Sequence, residues 1–175
     1  KAMEPSLKTI RNQTHAIAEA SLCYTGDISN PNKGKYNLAY YKQLARDLEN
    51  AGAHMLAIKD MAGLLKPQAA GELISDIRSV SDLPIHLHTH DTSSLQTTTY
   101  HNAIEAGVDV VDVALGGLSG LTSQPNFNSV VAMMQGHKRE QKIDLNKLNE
   151  ASIYWEKVRS FYAPFESGLK TGTAE

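Results

Sequence analysis

Strand-like and helix-like segments alternate along this chain of 175 residues, and the alternation limits its fold strongly. Four apolar stretches of strand length are each followed by a segment with helical spacing, at a repeat of about 30 residues. Parallel strands need crossovers of this kind, because a tight turn cannot join them. The sequence therefore predicts an α/β protein with a parallel sheet, whose strands are expected at residues 17–24, 54–61, 84–90 and 108–115.

Two architectures fit four such units. A (β/α)8 barrel, the TIM barrel, needs about 250 residues to close, so this chain would form about half of one. A small open doubly wound sheet is the alternative. No G-x-G-x-x-G follows a strand and no G-x-x-x-x-G-K-[ST] occurs, so the phosphate-binding signals of open sheets are missing.

Beyond the fourth unit the pattern becomes helical. A short helix is predicted at residues 126–136 and a longer one at 144–162. The apolar face of the longer helix is expected to consist of Leu145, Leu148, Ile153, Tyr154 and Val158. We expect two regions, with the β/α units in residues 1–135 and a helical extension beginning in residues 136–175.

Composition favours small-molecule chemistry. Seventeen basic residues against 19 acidic ones give no field that would attract nucleic acid, so no nucleic-acid partner is expected. No apolar run approaches the roughly 20 residues of a membrane span, and no membrane partner is expected. Cys23, the single cysteine, cannot form an internal disulfide. With no export signal in view, a reducing compartment is predicted.

Three histidines alternate in the stretch "LPIHLHTHD". His86, His88 and His90 share one face of the third strand, since side chains alternate along a strand. In a barrel that face points inward, and His88 and His90 lie nearest the C-terminal end, where barrel active sites form. Two neutral imidazoles at this spacing can bind one metal ion if other strands supply anionic ligands. The alternative is a hydrogen-bonded polar core, which is the expectation for the deeper His86.

Lys59 is the second candidate, at the end of the strand in "AIKDMAG". The alternation places it on the inner face with Met55 and Ala57. A desolvated lysine there would serve as a nucleophile, as a base, or as a carbamate that presents oxygens to a metal. The alternative is a salt bridge with Asp60 or another acid. Asp112 is predicted to face inward, either with a function or as a buried hydrogen-bonding group.

Four motifs together resemble the carboxyltransferase domain of the pyruvate carboxylase family. They are "YTGDI", "IKDMAGLLKP", "HLHTHDTS" and "SGLTSQP", in that order and spacing, and the resemblance covers nearly the whole chain. It implies a (β/α)8 barrel of which this chain is about the second half, followed by the start of the helical extension.

The resemblance also implies a metal site. The family holds zinc or manganese with the histidines of H-T-H, a carbamylated lysine and an aspartate on the first strand. Carried over by motif, the metal ligands are Lys59, His88 and His90, with Lys59 also the catalytic candidate. The aspartate, the pyruvate-binding arginine and the proton-shuttling threonine have no counterpart here, so residues 1–175 alone are expected to be inactive.

The implied reaction is transfer of a carboxyl group from carboxybiotin to pyruvate, giving oxaloacetate. Biotin would come on a biotinyl carrier domain, while ATP and bicarbonate would be used by another domain. The family forms homo-tetramers through carboxyltransferase dimers, some bacterial members bind cyclic di-AMP there, and a dimerisation or regulatory region is the non-enzyme alternative. Bacterial relatives imply a cytoplasmic location and eukaryotic ones the mitochondrial matrix.

Sister enzymes remain as rivals. An oxaloacetate decarboxylase or transcarboxylase would share the site, and a metal-dependent acyl lyase or synthase would share H-x-H without a carbamylated lysine. Two departures from the family pattern affect loop shape: Ser94 replaces a common glycine, and Gly116, Gly117 and Leu118 precede Ser119 where D-S-M is common.

Overall fold

The computed structural model describes residues 3–30 and 34–173. Its four strands pair in parallel and in chain order, β1-β2-β3-β4. They are β1 (Glu19–Cys23), β2 (Met55–Asp60), β3 (Ile85–Thr89) and β4 (Val110–Val111). The α-helices are α1 (Glu4–Gln13), α2 (Leu38–Asn50), α3 (Pro67–Arg78), α4 (Gln96–Glu105), α5 (Phe127–Met133) and α6 (Leu145–Tyr162), with 3-10 turns at Gly116–Leu118 and Ala163–Phe165.

The strand order decides between the two predicted architectures. A doubly wound sheet reverses direction at a switch point, whereas these strands follow one another without reversal. The face packed against the helices is buried along β3, where Ile85, Leu87 and Thr89 are inaccessible to solvent. The other face is more open, because four strands cover only one side of a barrel interior. The partial TIM barrel is therefore confirmed, and the doubly wound alternative is wrong.

The fourth strand is shorter than predicted. Only Val110 and Val111 pair with β3, at His86 and Leu87. Farther along, Ala114 pairs with Asn126 in an isolated bridge instead. The chain thus folds back on its own loop beyond β4, which removes it from the sheet.

The predicted apolar face of α6 is partly wrong. Leu148 is buried, but Ile153 is 52% exposed and Tyr154 is 61% exposed. Ser152, four residues after Leu148, faces the Gly116–Leu118 turn. Its hydroxyl accepts a hydrogen bond from the backbone N–H of Gly116 at 3.2 Å. At 3.6 residues per turn, the two residues after Ser152 are rotated away from that contact.

The departure at Gly116, Gly117 and Leu118 has a structural reason at Gly117. A Cβ at this position would lie 2.6 Å from the backbone nitrogen of Glu156 on α6. A side chain here would push α6 off the turn, since backbone atoms cannot move aside locally. None of the helices in the described ranges is both long and apolar enough to cross a lipid bilayer.

Ser94, the other departure, has a left-handed backbone with φ +59°. That conformation costs a residue with a Cβ about 1 kcal/mol, part of which glycine returns as unfolded-state entropy. We expect Ser94→Gly to stabilise the full-length protein by roughly 0.5 kcal/mol and to raise its thermal midpoint by about 1 °C in calorimetry. Ser94→Ala keeps the Cβ and should give no such gain; equal midpoints for both variants would contradict the strain.

Candidate metal centre

The candidate residues meet at the C-terminal ends of the strands. Lys59 pairs in register with Cys23 on one side and with His88 on the other. Paired residues of parallel neighbours project to the same face of the sheet, so these three side chains share the inner face. His90 and Asp112 lie just beyond β3 and β4. The structure thus brings all three predicted ligand residues to one edge.

His88 and His90 converge through their Nε2 atoms, which are 3.2 Å apart. His88 Nδ1 lies 2.6 Å from Asp112 Oδ2, and His90 Nδ1 lies 2.6 Å from the carbonyl oxygen of Thr122. A carbonyl can only accept, so His90 donates from Nδ1 and carries its lone pair on Nε2. An ionised Asp112 imposes the same tautomer on His88. When both imidazoles are neutral, they therefore direct Nε2 lone pairs toward one point.

This geometry fits a divalent ion. Two nitrogens about 2.1 Å from one tetrahedral ion lie roughly 3.4 Å apart, close to the observed spacing. Hydrogen bonds that fix the second nitrogen of each ring are the usual partners of metal-bound histidines. One shared proton would suit the same spacing, so metal occupancy is the measurement that decides.

Lys59 differs in two ways from its expected environment. Its side chain is exposed rather than desolvated, because four strands leave the inner face open on one side. It forms no ion pair with any carboxylate of residues 3–30 and 34–173, and the alternative of a salt bridge with Asp60 is wrong. Asp60 points to the opposite face, where it is buried.

Asp60 has a structural role there. Its carboxylate accepts the backbone N–H groups of Leu64 and Leu65, both at 2.9 Å, and the Thr89 hydroxyl at 2.7 Å. These bonds hold the loop after β2 against β3. The position of Lys59 is thereby linked to the strand that carries the histidines.

His86 lies one layer deeper and agrees with the expectation of interior support. Its Nδ1 is 3.1 Å from Glu19 Oε1. Its Nε2 is 3.0 Å from Asp112 Oδ1, within ion-pair distance but without hydrogen-bond alignment. Both ring nitrogens thus lie beside carboxylates, but only Nδ1 is hydrogen-bonded.

The two acids beside the histidines differ in pKa. Burial alone would raise the pKa of Asp112, but the hydrogen bond from His88 and the nearby His86 outweigh it and hold that pKa below its usual value. Burial raises the pKa of Asp91, and the backbone N–H of Gln96 offsets this only in part. Asp112 is therefore the better anionic partner for an imidazole.

Within residues 3–30 and 34–173, no group of three or more His, Cys, Asp and Glu side chains is arranged to hold a metal. Among these residue types, only His88 and His90 are candidate ligands. Lys59 would be the third ligand, and only as a carbamate. Sequence reasoning missed Thr122 entirely. A backbone carbonyl contributes through the path of its loop, and no residue type marks it.

Comparison with known proteins places this geometry in a class. A model of the HMGL-like family matches residues 1–154. The chain therefore belongs to the HMGL-like family.

Its relatives specify the resemblance further. The chain is 49% identical over 175 residues to pyruvate carboxylase of Bacillus subtilis, covering all of this chain and 15% of that protein. It is 52% identical over 160 residues to pyruvate carboxylase of Staphylococcus aureus, covering 91% of the chain and 14% of that protein. The chain thus spans about a seventh of the length of these relatives.

The solved structures agree. The carboxyl transferase domain from Rhizobium etli pyruvate carboxylase with pyruvate matches with a TM-score of 0.94 and 49% identity, over 98% of this chain and 29% of that one. The resemblance to the carboxyltransferase domain of pyruvate carboxylase, predicted from four motifs, is confirmed.

Proposed function

We propose that this chain supplies half of the carboxyltransferase site of a biotin-dependent pyruvate carboxylase. The reaction would transfer a carboxyl group from carboxybiotin to pyruvate, giving oxaloacetate. The observation that carries the proposal is the convergence of His88 and His90, whose Nε2 atoms lie 3.2 Å apart with both Nδ1 atoms occupied. The identity to pyruvate carboxylases over nearly the whole chain supports the choice of substrate class.

His88, His90 and a carbamylated Lys59 would hold a divalent ion, zinc or manganese. When bound, that ion would act as a Lewis acid and favour negative charge on the oxygen of enolised pyruvate. Lys59 supports this reading because it pairs in register with His88 and has no carboxylate partner in the described chain. A free ammonium would repel a dication, whereas a carbamate is an anionic oxygen ligand.

The chain's own residues would orient the ligands. The Thr122 carbonyl and the Asp112 carboxylate keep the protons of His90 and His88 on Nδ1. Asp60 and Thr89, joined at 2.7 Å, keep β2 and β3 in the register that sets Lys59 beside His88. These contacts pre-organise the site, so little reorganisation is needed when the ion binds.

A carbon-13 experiment tests the proposal directly. Full-length protein equilibrated with 13C-bicarbonate should show one carbamate resonance per chain, and metal analysis should find one divalent ion per chain. Lys59→Ala should abolish the resonance and most of the metal, because it removes the carbamate. The exposed Lys8→Ala, on α1, is the matched control and should preserve both signals. A carbamate-free Lys59 in metal-loaded protein would overturn the assignment.

The same experiment separates the rivals. An acyl lyase or synthase barrel would retain the metal without a carbamate. An oxaloacetate decarboxylase or transcarboxylase would share both signals, and coupled assays for pyruvate carboxylation distinguish it. The relatives named pyruvate carboxylase favour pyruvate carboxylation.

Partners and assembly follow as finer proposals. We propose pyruvate and a biotinyl carrier domain as partners, ATP and bicarbonate as substrates of another domain, and a homo-tetramer built on carboxyltransferase dimers. Cyclic di-AMP binding at that dimer contact is a further proposal, as is the division between residues 1–135 and 136–175. The relatives include bacterial proteins and proteins named mitochondrial, so we propose the cytoplasm or the mitochondrial matrix as the location.

A further inference from the structure

The Asp112 carboxylate contacts two imidazoles at once. Its Oδ2 lies 2.6 Å from His88 Nδ1, and its Oδ1 lies 3.0 Å from His86 Nε2. The far side of the His86 ring lies 3.1 Å from Glu19 Oε1. A continuous line of polar groups therefore runs from Glu19 on β1 through His86 to Asp112, just beyond β4. From there it returns to His88 on β3, a candidate ligand.

Asp112 is itself held from behind. The Tyr100 hydroxyl on α4 donates to the Asp112 carbonyl oxygen at 2.6 Å, and the Asp112 backbone N–H donates to Leu87 O at 3.3 Å. Tyr100 is fully buried. Since both backbone groups of Asp112 are anchored, its carboxylate has little freedom to leave His88.

The two candidate ligands are held by unlike groups. His90 donates to a neutral backbone carbonyl, whereas His88 faces a carboxylate. A carboxylate makes the opposite nitrogen a stronger donor to a cation than a carbonyl does, because its negative charge favours positive charge on the ring. The two histidines therefore differ in what orients them.

We propose that Asp112 is a positioning residue for the metal centre, which fixes the His88 tautomer and strengthens His88 Nε2 as a ligand. This inference rests on the proposed function, since it assumes that His88 binds the ion. In this role Asp112 would not itself be a ligand of the ion. It acts only through His88.

Metal affinity of the full-length protein tests this role. Apo protein is titrated with Co²⁺ against a chelator, and the visible absorption of the bound ion is recorded. Asp112→Asn should weaken Co²⁺ binding by roughly 10- to 100-fold and shift the absorption bands, because the donor strength of His88 changes. Asp112→Ser keeps a weaker acceptor and serves as the second variant if the asparagine protein does not fold.

Glu105→Gln is the matched control. Glu105 Oε1 faces His137 Nε2 at 2.6 Å, so this variant also replaces a carboxylate beside an imidazole by an amide, but outside the proposed centre. Its Co²⁺ affinity and spectrum should match the wild type. Identical band shifts in Glu105→Gln and Asp112→Asn would contradict the proposal, since the shift would then not depend on the contact with His88.

His88→Ala separates failure of this inference from failure of the proposed function. If His88→Ala loses the metal while Asp112→Asn and Asp112→Ser bind as the wild type does, the role of Asp112 is wrong and the metal centre stands. If His88→Ala also binds metal normally, the proposed centre itself is wrong.

Discussion

Under the proposed function, full-length protein carrying His88→Ala or His90→Ala is expected to lose the proposed divalent ion and about three orders of magnitude in pyruvate carboxylation. Each substitution removes one of two converging Nε2 donors that lie 3.2 Å apart. A Lewis acid contributes several kcal/mol to such a reaction, and each 1.4 kcal/mol corresponds to about a tenfold change in rate. Metal analysis after gel filtration, with the steady-state rate of oxaloacetate formation, measures both losses.

His137→Ala is the matched control for these variants. His137 Nε2 lies 2.6 Å from Glu105 Oε1, the same separation as His88 Nδ1 from Asp112 Oδ2. The substitution removes an imidazole that faces a carboxylate in the same way, but outside the candidate centre. We expect wild-type metal content and turnover in this protein. Full metal content in either His88→Ala or His90→Ala would show that the converging rings share a proton rather than an ion.

Gly63→Ala is expected to destabilise the protein and to weaken metal binding together. Gly63 has φ +65°, and a Cβ there would lie 2.5 Å from Thr92 Oγ1 and even closer to the carbonyl oxygen of His90. The left-handed backbone costs about 1–2 kcal/mol with a Cβ, and overpacking costs about 1–3 kcal/mol more. The displaced carbonyl belongs to His90, a candidate ligand, so we expect the damage to extend from packing to the candidate metal centre.

The loops at Gly63 are joined by several hydrogen bonds. The Thr92 hydroxyl donates to Ala62 O at 2.6 Å, and the Gln96 side-chain amide donates to Gly63 O at 2.9 Å. Both bonds tie the loop after β2 to the residues after β3. The loop carrying Gly63 therefore cannot swing away to make room for a methyl group.

Gly136→Ala isolates backbone strain from steric overlap. Gly136 has φ +78°, but a Cβ there would meet no atom within 4 Å. Scanning calorimetry of the full-length variants should show a fall in the thermal midpoint of roughly 5 °C or more for Gly63→Ala and only about 2 °C for Gly136→Ala. Chelator competition should show weaker metal binding for Gly63→Ala alone. Equal effects of the two substitutions would refute the close approach of the loops.

Local patterns predicted much of this molecule correctly. The alternation in β3 placed Ile85 and Leu87 in the core and the histidines on the other face, because a strand has a period of two whatever surrounds it. Prediction failed where a contact replaced the local pattern. The fourth strand ended at Val111 because the chain turned back on its own loop, and α6 met that turn through Ser152 rather than through Ile153 or Tyr154.

The environment of Lys59 was also beyond local reasoning. Its place on the inner face followed from alternation, yet its exposure depended on how much of the barrel interior four strands enclose. A salt bridge to Asp60 looked plausible from adjacency alone. Consecutive residues of a strand point to opposite faces, and Asp60 found its partners in the loop it supports.

The α/β class, the inward face of β3 and the candidate metal ligands could be predicted from the residues alone, because hydrophobic period and side-chain chemistry are local properties. Which atoms meet depended on the folded arrangement. The bond from His88 to Asp112 spans 24 residues and the bond from His90 to Thr122 spans 32. Such contacts depend on strand register and on loop paths, and neither is written in the pattern of any one segment.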